Sequence, residues 1–218
     1  MDYKKLFHKE EAFQRETFQK RMEEFGFKNM ARMELFLWDL ELFLHIQKIL
    51  GDKIILKGGA ATQFYLPRDA QRTSVDIDML FFGTEEEIKK TLRKIEEYLG
   101  TEDELFYFHK HSPKNPKTNL PLHTYYTKVP SVLSNAERNM DRESIPYQEL
   151  KIEFILQPEK WEYERRTGEN IFAVNSSWNY QILPLNYLFA DKLTTLGCNT
   201  IGVQNERLDE QVKQFYDI

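Results

Sequence analysis

Apolar residues recur at helical spacing through the first fifty positions of the chain. The pattern predicts one helix over residues 2–25, broken at Gly26, and a second over 29–50, stopped at Gly51. The second segment carries a broad apolar face, which is typical of a helix that packs against a core. We therefore expect residues 1–50 to form a helical segment packed on the rest of the protein.

Short apolar segments alternate with turns and helices in the middle of the chain. Strands are predicted at 54–56, 75–82, 104–110, 122–129, 150–156 and 171–174. Helices are predicted over 60–66, from the capping box of Thr84 and Glu87 to Leu99, from Pro184 to Leu196, and from about Arg207 to Ile218. This order predicts an α+β fold, with a mixed-sheet core over 51–180 and a C-terminal helical segment over 181–218.

Composition excludes several classes of protein. The chain has 218 residues, of which 41% are hydrophobic, and this is enough for a packed core. A single cysteine, Cys198, excludes a disulfide scaffold and a cysteine-rich zinc module. No apolar run approaches the roughly 20 residues that span a bilayer. We expect a cytoplasmic protein without a membrane segment.

The charge pattern bears on nucleic-acid binding. A net charge of −5 disfavours a protein that coats nucleic acid. However, residues 105–136 contain no acid and combine aromatic residues with Lys110, Lys114 and Lys117. This stretch is either a β-hairpin with a lysine-bearing loop or a local basic surface for RNA. Its histidines do not indicate a metal site, because the neighbouring lysines repel cations.

Three acids are candidates for metal binding. Asp76 and Asp78 are two residues apart on a predicted strand, so their side chains point to the same face. Carboxylates placed in this way suit hard cations such as Mg²⁺. A two-metal site needs a further acid, usually from a neighbouring strand, and Glu153 is the candidate because it is the only acid in the apolar strand 150–156. The alternative for Glu153 is a solvent-facing glutamate beside Lys151.

Residues around these acids are suited to bind phosphate. Gly58 and Gly59 follow a predicted strand and precede a helix, which permits close approach of a phosphate to the backbone. Ser74 can donate a hydrogen bond to a phosphate oxygen, and Arg72 and Lys57 supply positive charge nearby. The combination predicts a site for a nucleoside triphosphate and a metal. Such a site suits nucleotidyl transfer, in which the protein mainly positions the triphosphate and stabilises charge.

The segment 58–78, with Gly-Gly, a helix and then Arg-x-Ser-x-Asp-Ile-Asp, resembles the motif of the polymerase-β-like nucleotidyltransferase superfamily. The chain is most similar to the AbiEii/AbiGii toxin family within that superfamily. The sequence LFADKLTTLG, which contains Lys192, resembles a later helix of the family. The family's closing motif is matched by Arg207, Lys213 and Tyr216–Asp217–Ile218.

The resemblance implies a polymerase-β-like core and a Mg²⁺-dependent enzyme, with two ions, that transfers a nucleoside monophosphate from an NTP to RNA. The acceptor would be the 3′ end of a tRNA, and the protein would be the toxin of an abortive-infection toxin–antitoxin pair, with a cognate antitoxin as partner. Ser74, Asp76 and Asp78 would hold the triphosphate and the metals. Lys192 would contact the triphosphate, and Asp217 would organise the acceptor or the metal site.

Two departures from the family keep alternatives open. Many relatives have an acid where this chain has Gln214, and many continue into a longer helical region. The segment 181–218 would accordingly be a truncated or a minimal version. One alternative is an enzyme of the same fold that modifies a small molecule or a protein. Another is an NTP-binding module whose catalytic apparatus has decayed. Fold alone does not choose between them.

Overall fold

The computed structural model describes residues 2–112, 121–134, 137–138, 147–195 and 212. Within these ranges the helices are α1 (Arg15–Phe25), α2 (Met30–Leu50), α3 (Gly58–Thr62), α4 (Glu85–Leu99) and α5 (Leu185–Thr195). The strands are β1 (Ile54–Lys57), β2 (Asp76–Phe81), β3 (Phe108–Lys110), β4 (Leu122–Pro130), β5 (Tyr147–Leu156), β6 (Glu164–Gly168) and β7 (Ser176–Ile182).

The seven strands form one mixed sheet in the order β3-β4-β5-β2-β1-β7-β6. β2 is central: it pairs antiparallel with β1 and parallel with β5. Strands β1, β2 and β5 therefore lie in the middle of the sheet, with further strands on either side of them. The α+β class with a mixed sheet and flanking helices is confirmed.

Alternation along the central strands separates a core face from a polar face. Ile77 and Met79 of β2 and Ile152 of β5 are fully buried. The residues that alternate with them along each strand, such as Asp78 and Glu153, are partly exposed. Helix α2 packs against β1, β2 and β5 and is buried over most of its length. The 21 residues of α2 therefore form the centre of the core rather than an appendage. The division of the chain at residues 50 and 180 stays a prediction.

The N-terminal segment differs from the continuous helix predicted over 2–25. Its regular α-helix is limited to α1, and two short 3₁₀ turns precede it. The backbone N–H groups of Phe7 and His8 donate to the carboxylate of Glu41 at 2.8 and 3.0 Å. Because a buried side chain takes these donors, the segment is held against α2 in an irregular conformation that helical periodicity does not reveal.

The strand predicted over 171–174 is wrong. These residues form tight turns, in which the N–H of Val174 donates to the carbonyl of Ile171 at 3.2 Å. Their side chains are all buried, so the apolar run reflects burial and not strand geometry. The flanking strands β6 and β7 were not predicted, because β6 is mostly polar and β7 is buried only in its last three residues.

Smaller differences concern where the elements begin and end. α3 starts at Gly58, two residues before the predicted helix, and ends at Thr62. β3 starts only at Phe108, because Glu104 and Phe106 adopt positive φ angles that interrupt an extended chain. The capping box of α4 is present as predicted. The helix predicted from Arg207 lies outside the described residues.

Candidate active site

The three predicted metal-binding acids lie on two neighbouring strands. Asp78 of β2 is directly opposite Glu153 of β5 in the parallel register, and Asp76 is two residues earlier on the same face. On its other side, Asp78 is opposite Lys57 of β1. The fold thus brings together residues that are separated by almost a hundred positions in sequence.

The charges around Asp78 change its proton affinity. Burial raises the pKa of Asp78, and the nearby carboxylates of Glu153 and Asp76 raise it further, to about 7. Glu153 forms an ion pair with Lys151 at 3.0 Å and accepts a hydrogen bond from the Thr124 hydroxyl, also at 3.0 Å. The repulsion between the acids is therefore only partly offset by neighbouring cations. A cation bound beside these three carboxylates would therefore be stabilised by them.

The two glycines lie directly beside these acids. Gly58 has φ +68°, and a β-carbon there would overlap the carboxylate of Asp78. A β-carbon on Gly59 would lie 2.8 Å from Nη2 of Arg72 and 3.2 Å from Oγ of Ser74. Ser74 itself is buried, with 7% of its surface exposed. Only glycine permits this close approach of the α3 backbone to the acidic and basic side chains.

Gln63 holds this arrangement in place, although the sequence analysis did not single it out. Its side-chain amide donates to the carbonyl of Gly59 at 2.8 Å and accepts from the N–H of Arg72 at 2.8 Å. The side chain is fully buried. A glutamine just after a glycine-rich turn was the available signal, but its partner nine residues away was visible only in the fold.

Helix α5 reaches the same region from the C-terminal side. Lys57 Nζ forms an ion pair with Asp191 Oδ1 at 2.7 Å, with both side chains partly buried. Lys192, the next residue, is 6% exposed and lines a cavity between α3 and α5. Its burial does not agree with a snorkelling surface lysine. Asp191 was missed by the sequence analysis, although it stands next to Lys192.

Comparison with known proteins identifies the family. A model of the family described as "Nucleotidyl transferase AbiEii toxin, Type IV TA system" matches residues 42–218. The chain belongs to the AbiEii family. The predicted resemblance is thereby confirmed, and the match includes the second half of α2 and all seven strands. No curated protein matches this AbiEii family member.

Solved structures resemble this AbiEii family member at low identity. JHP933 from Helicobacter pylori is 13% identical with a TM-score of 0.47, over 96% of this chain and 65% of that one. A proposed nucleotidyltransferase from H. pylori is 15% identical with a TM-score of 0.48, over 84% and 66%. The Megavirus polyadenylate synthase is 9% identical with a TM-score of 0.41, over 94% and 32%. The chain thus spans about two thirds or less of each.

The acids of this AbiEii family member have the donor chemistry for a divalent cation, but they are not gathered around one point. In the described ranges, no three side chains of the types that ligate metals are already gathered around one point. Asp78 and Glu153 are nevertheless register partners with oxygen donors of the kind that Mg²⁺ prefers. Because Glu153 is paired with Lys151, its carboxylate would have to turn from that lysine to join a cation.

A buried acid in α2 was not predicted. Asp39 is 1% exposed, and neither of its carboxylate oxygens has a hydrogen-bond partner among the described residues. Burial raises its pKa well above the usual range, and the charges of Asp76 and Asp78 raise it further. The available signal was an acid within the apolar run LFLWDLELFL, which contains Asp39 and Glu41. Helical periodicity alone did not place it near the candidate site.

The remaining predicted residues are only partly described. Lys110 forms an ion pair with Glu85 at 2.6 Å, and Lys128 is paired with Glu104 at 3.2 Å. Acids from outside the stretch 105–136 therefore compensate these two lysines. Lys114, Lys117 and Asp217, together with Arg207, Lys213 and Gln214, lie outside the described residues. No helix in the described part of the chain is long and apolar enough to cross a membrane.

Proposed function

We propose that this protein transfers a nucleoside monophosphate from an NTP to the 3′ end of a tRNA, as the toxin of a toxin–antitoxin pair. The observation that carries the proposal is the register of Asp76, Asp78 and Glu153 beside Gly58 and Gly59, in a member of a nucleotidyltransferase toxin family. A cognate antitoxin is the partner that the family implies.

Each group has a defined task in the proposed reaction. The acceptor hydroxyl attacks the α-phosphorus of the NTP and gives up its proton to solvent. The new O–P bond forms as the bond to the β-phosphate oxygen breaks, and pyrophosphate leaves with the electron pair of that bond. Ser74 and the α3 backbone bind phosphate oxygens, and Lys57 and Lys192 neutralise the triphosphate. Asp76, Asp78 and Glu153 would hold divalent cations. When bound, these cations stabilise the charge that develops on the attacking and leaving oxygens.

Positioning depends on contacts that are already formed. Gln63 fixes Gly59 relative to Arg72, so the phosphate-binding backbone is set before substrate arrives. The ion pair between Lys57 and Asp191 connects the end of β1 to α5. Lys57 would exchange this partner for a phosphate oxygen on binding.

The test is a transfer assay with matched acidic controls. The protein is incubated with labelled NTPs, Mg²⁺ and total RNA, and tRNA-sized species should become labelled. Asp76→Ala should abolish the labelling, whereas Asp69→Ala should not, because Asp69 is exposed in the turn before β2. Glu153→Gln should reduce it strongly and Glu149→Gln should not, because Glu149 is exposed on the same face of β5. Labelling that persists in Asp76→Ala contradicts the assigned site.

The acceptor class is tested separately. The compensation of Lys110 by Glu85 favours a second candidate, an enzyme of the same fold with a small-molecule or protein acceptor. Charge reversal at Lys110, Lys114 and Lys117 should impair labelling of RNA if these residues contact it. A small-molecule acceptor would be labelled equally well by the reversed variant. NTP binding without transfer to any cellular fraction would instead indicate a decayed enzyme.

A further inference from the structure

A cavity lies between the end of α3 and the face of α5, and Lys192 is its one lining residue with a role in the proposed reaction. Its volume is about 630 Å³. One wall is formed by Tyr65 and Leu66, which follow α3, and the other by Leu185, Phe189 and Lys192 of α5. We refer to it as the α3–α5 cavity. It lies in the size range of pockets that bind small organic molecules.

The α3–α5 cavity is connected to the candidate triphosphate site by Lys192 and by helix α3. Lys192 lines it and is also the residue proposed to contact the triphosphate. Helix α3 begins at Gly58 beside Asp78 and ends at Thr62, which also lines the cavity. At 1.5 Å per residue, these two positions are only about 6 Å apart along the helix. A molecule whose phosphates contact Lys192 would therefore have its remaining part beside the cavity lining.

The ring of Tyr65 is fixed before any ligand binds. Its hydroxyl donates to the carbonyl of Leu183 at 3.2 Å, and the guanidinium of Arg166 lies over the ring, 4.0 Å from its centre. Arg166 is itself held by Glu164 at 2.9 Å. An aromatic ring held at its polar end and on one face loses little conformational freedom when a ligand contacts the rest of its surface.

The opposite wall exposes apolar side chains that are usually buried. Phe189 is 46% exposed and Leu185 is 52% exposed. Asn186, between them in the lining, adds an amide that can both donate and accept hydrogen bonds. A flat heterocycle with hydrogen-bonding edges fits such a lining better than an aliphatic ligand. The positive charge of Lys192 adds a group in the lining that attracts phosphate.

We propose that the α3–α5 cavity binds the nucleobase and ribose of the NTP, with Tyr65 and Phe189 as its aromatic surfaces. This inference rests on the proposed function, because it assigns the nucleoside part of the same substrate. Asn186 is placed to contact the edge of the base. Leu66, Leu185 and Leu188 add apolar surface beside the two rings, which favours contact with the faces of a base.

The experiment compares binding of NTPs with binding of inorganic tripolyphosphate, both with Mg²⁺, by calorimetry on the full chain. Tyr65→Ala and Phe189→Ala should each weaken NTP binding about ten-fold, as expected for the loss of one aromatic contact to a base. Binding of tripolyphosphate should not change, because this ligand has no base. Unchanged tripolyphosphate binding also shows that each variant is folded.

Two control variants separate ring contacts from other effects. Tyr65→Phe retains the ring and should bind NTPs within about two-fold of the wild type, because stacking needs only the π-face. Tyr187→Ala removes a ring of α5 that packs on Trp161 and does not line the cavity, so NTP binding should be unchanged. A loss in Tyr187→Ala as large as in Tyr65→Ala would overturn the assignment.

The outcomes also distinguish this inference from the proposed function. If Tyr65→Ala and Phe189→Ala bind NTPs as tightly as the wild type while tripolyphosphate still competes, the base lies elsewhere and the proposed function stands. If the wild type binds neither NTPs nor tripolyphosphate, both are overturned. If NTPs bind more tightly than tripolyphosphate and only the two cavity variants lose that difference, the inference is supported.

Discussion

Replacement of Gly58 by alanine tests the geometry of the site most directly. The substitution has two effects: it forces a β-carbon onto a residue with φ +68°, and it places that carbon against the carboxylate of Asp78. Gly26 offers a matched control, since it has φ +72° and a β-carbon there would meet nothing within 4 Å. The two variants therefore share the backbone strain and differ in the contact with Asp78.

The magnitudes of the two effects can be separated. A left-handed conformation costs a residue with a β-carbon about 1–2 kcal/mol. For a chain of this size each kcal/mol lowers Tm by roughly 2–4 °C, so the backbone strain alone should lower the Tm of either variant by about 2–8 °C. In Gly58→Ala the Asp78 carboxylate must also move by roughly 1 Å, and a displacement of that size lowers rates by about 100-fold.

The assay measures Tm by thermal unfolding and the rate of label transfer from NTP to RNA for the wild type and both variants. Gly26→Ala should lose stability and keep its rate. Gly58→Ala should lose at least as much stability, because its β-carbon also meets Asp78, and about 100-fold in rate. A rate for Gly58→Ala within two-fold of that for Gly26→Ala would refute the placement of Asp78 at the reacting phosphate.

Three further predictions concern buried charges. Asp39→Asn should raise Tm at pH 7, because it removes an acid whose pKa is raised by burial. Below about pH 4 Asp39 is protonated in both the folded and the unfolded protein and costs no stability, whereas at higher pH the folded protein must keep a proton that the unfolded protein loses. The gain in Tm from Asp39→Asn should therefore vanish near pH 4. Burial alone would raise the pKa of Glu41, but hydrogen bonds from His45 and His8 lower it to about 2. Glu41→Ala should therefore cost about 3–5 kcal/mol in urea unfolding at pH 7, with the difference shrinking as pH falls from about 4 towards 2. A double-mutant cycle on Lys57 and Asp191 should give a coupling energy of about 0.5–3 kcal/mol, and additive effects would contradict their ion pair.

Much of the fold follows from local pattern. Helix α2 and the capped helix α4 lie close to their predicted bounds, because an apolar face and a capping box depend on residues within one or two turns. Strand β2 was predicted from its alternation. Strands β6 and β7 were not, since a polar edge strand is defined by its partner and carries little alternation of its own.

The candidate site also has one part that local pattern predicts and another that depends on the tertiary structure. The sequence placed Asp76 and Asp78 on one face of a strand and singled out Glu153 as the lone acid of another, because strand periodicity is local. It could not place Glu153 opposite Asp78, since that register depends on the order of strands in the sheet.

The sequence by itself determined the family, the fold class and the residue types that suit a triphosphate and a metal. Only the tertiary structure decided which distant side chains meet. Asp191 reaches Lys57 across 134 positions, and Asp39 of α2 is buried where the charges of Asp76 and Asp78 reach it. The physical reason is that such contacts follow from the packing of α5 and α2 on the rest of the protein, and packing depends on the whole core rather than on any short segment.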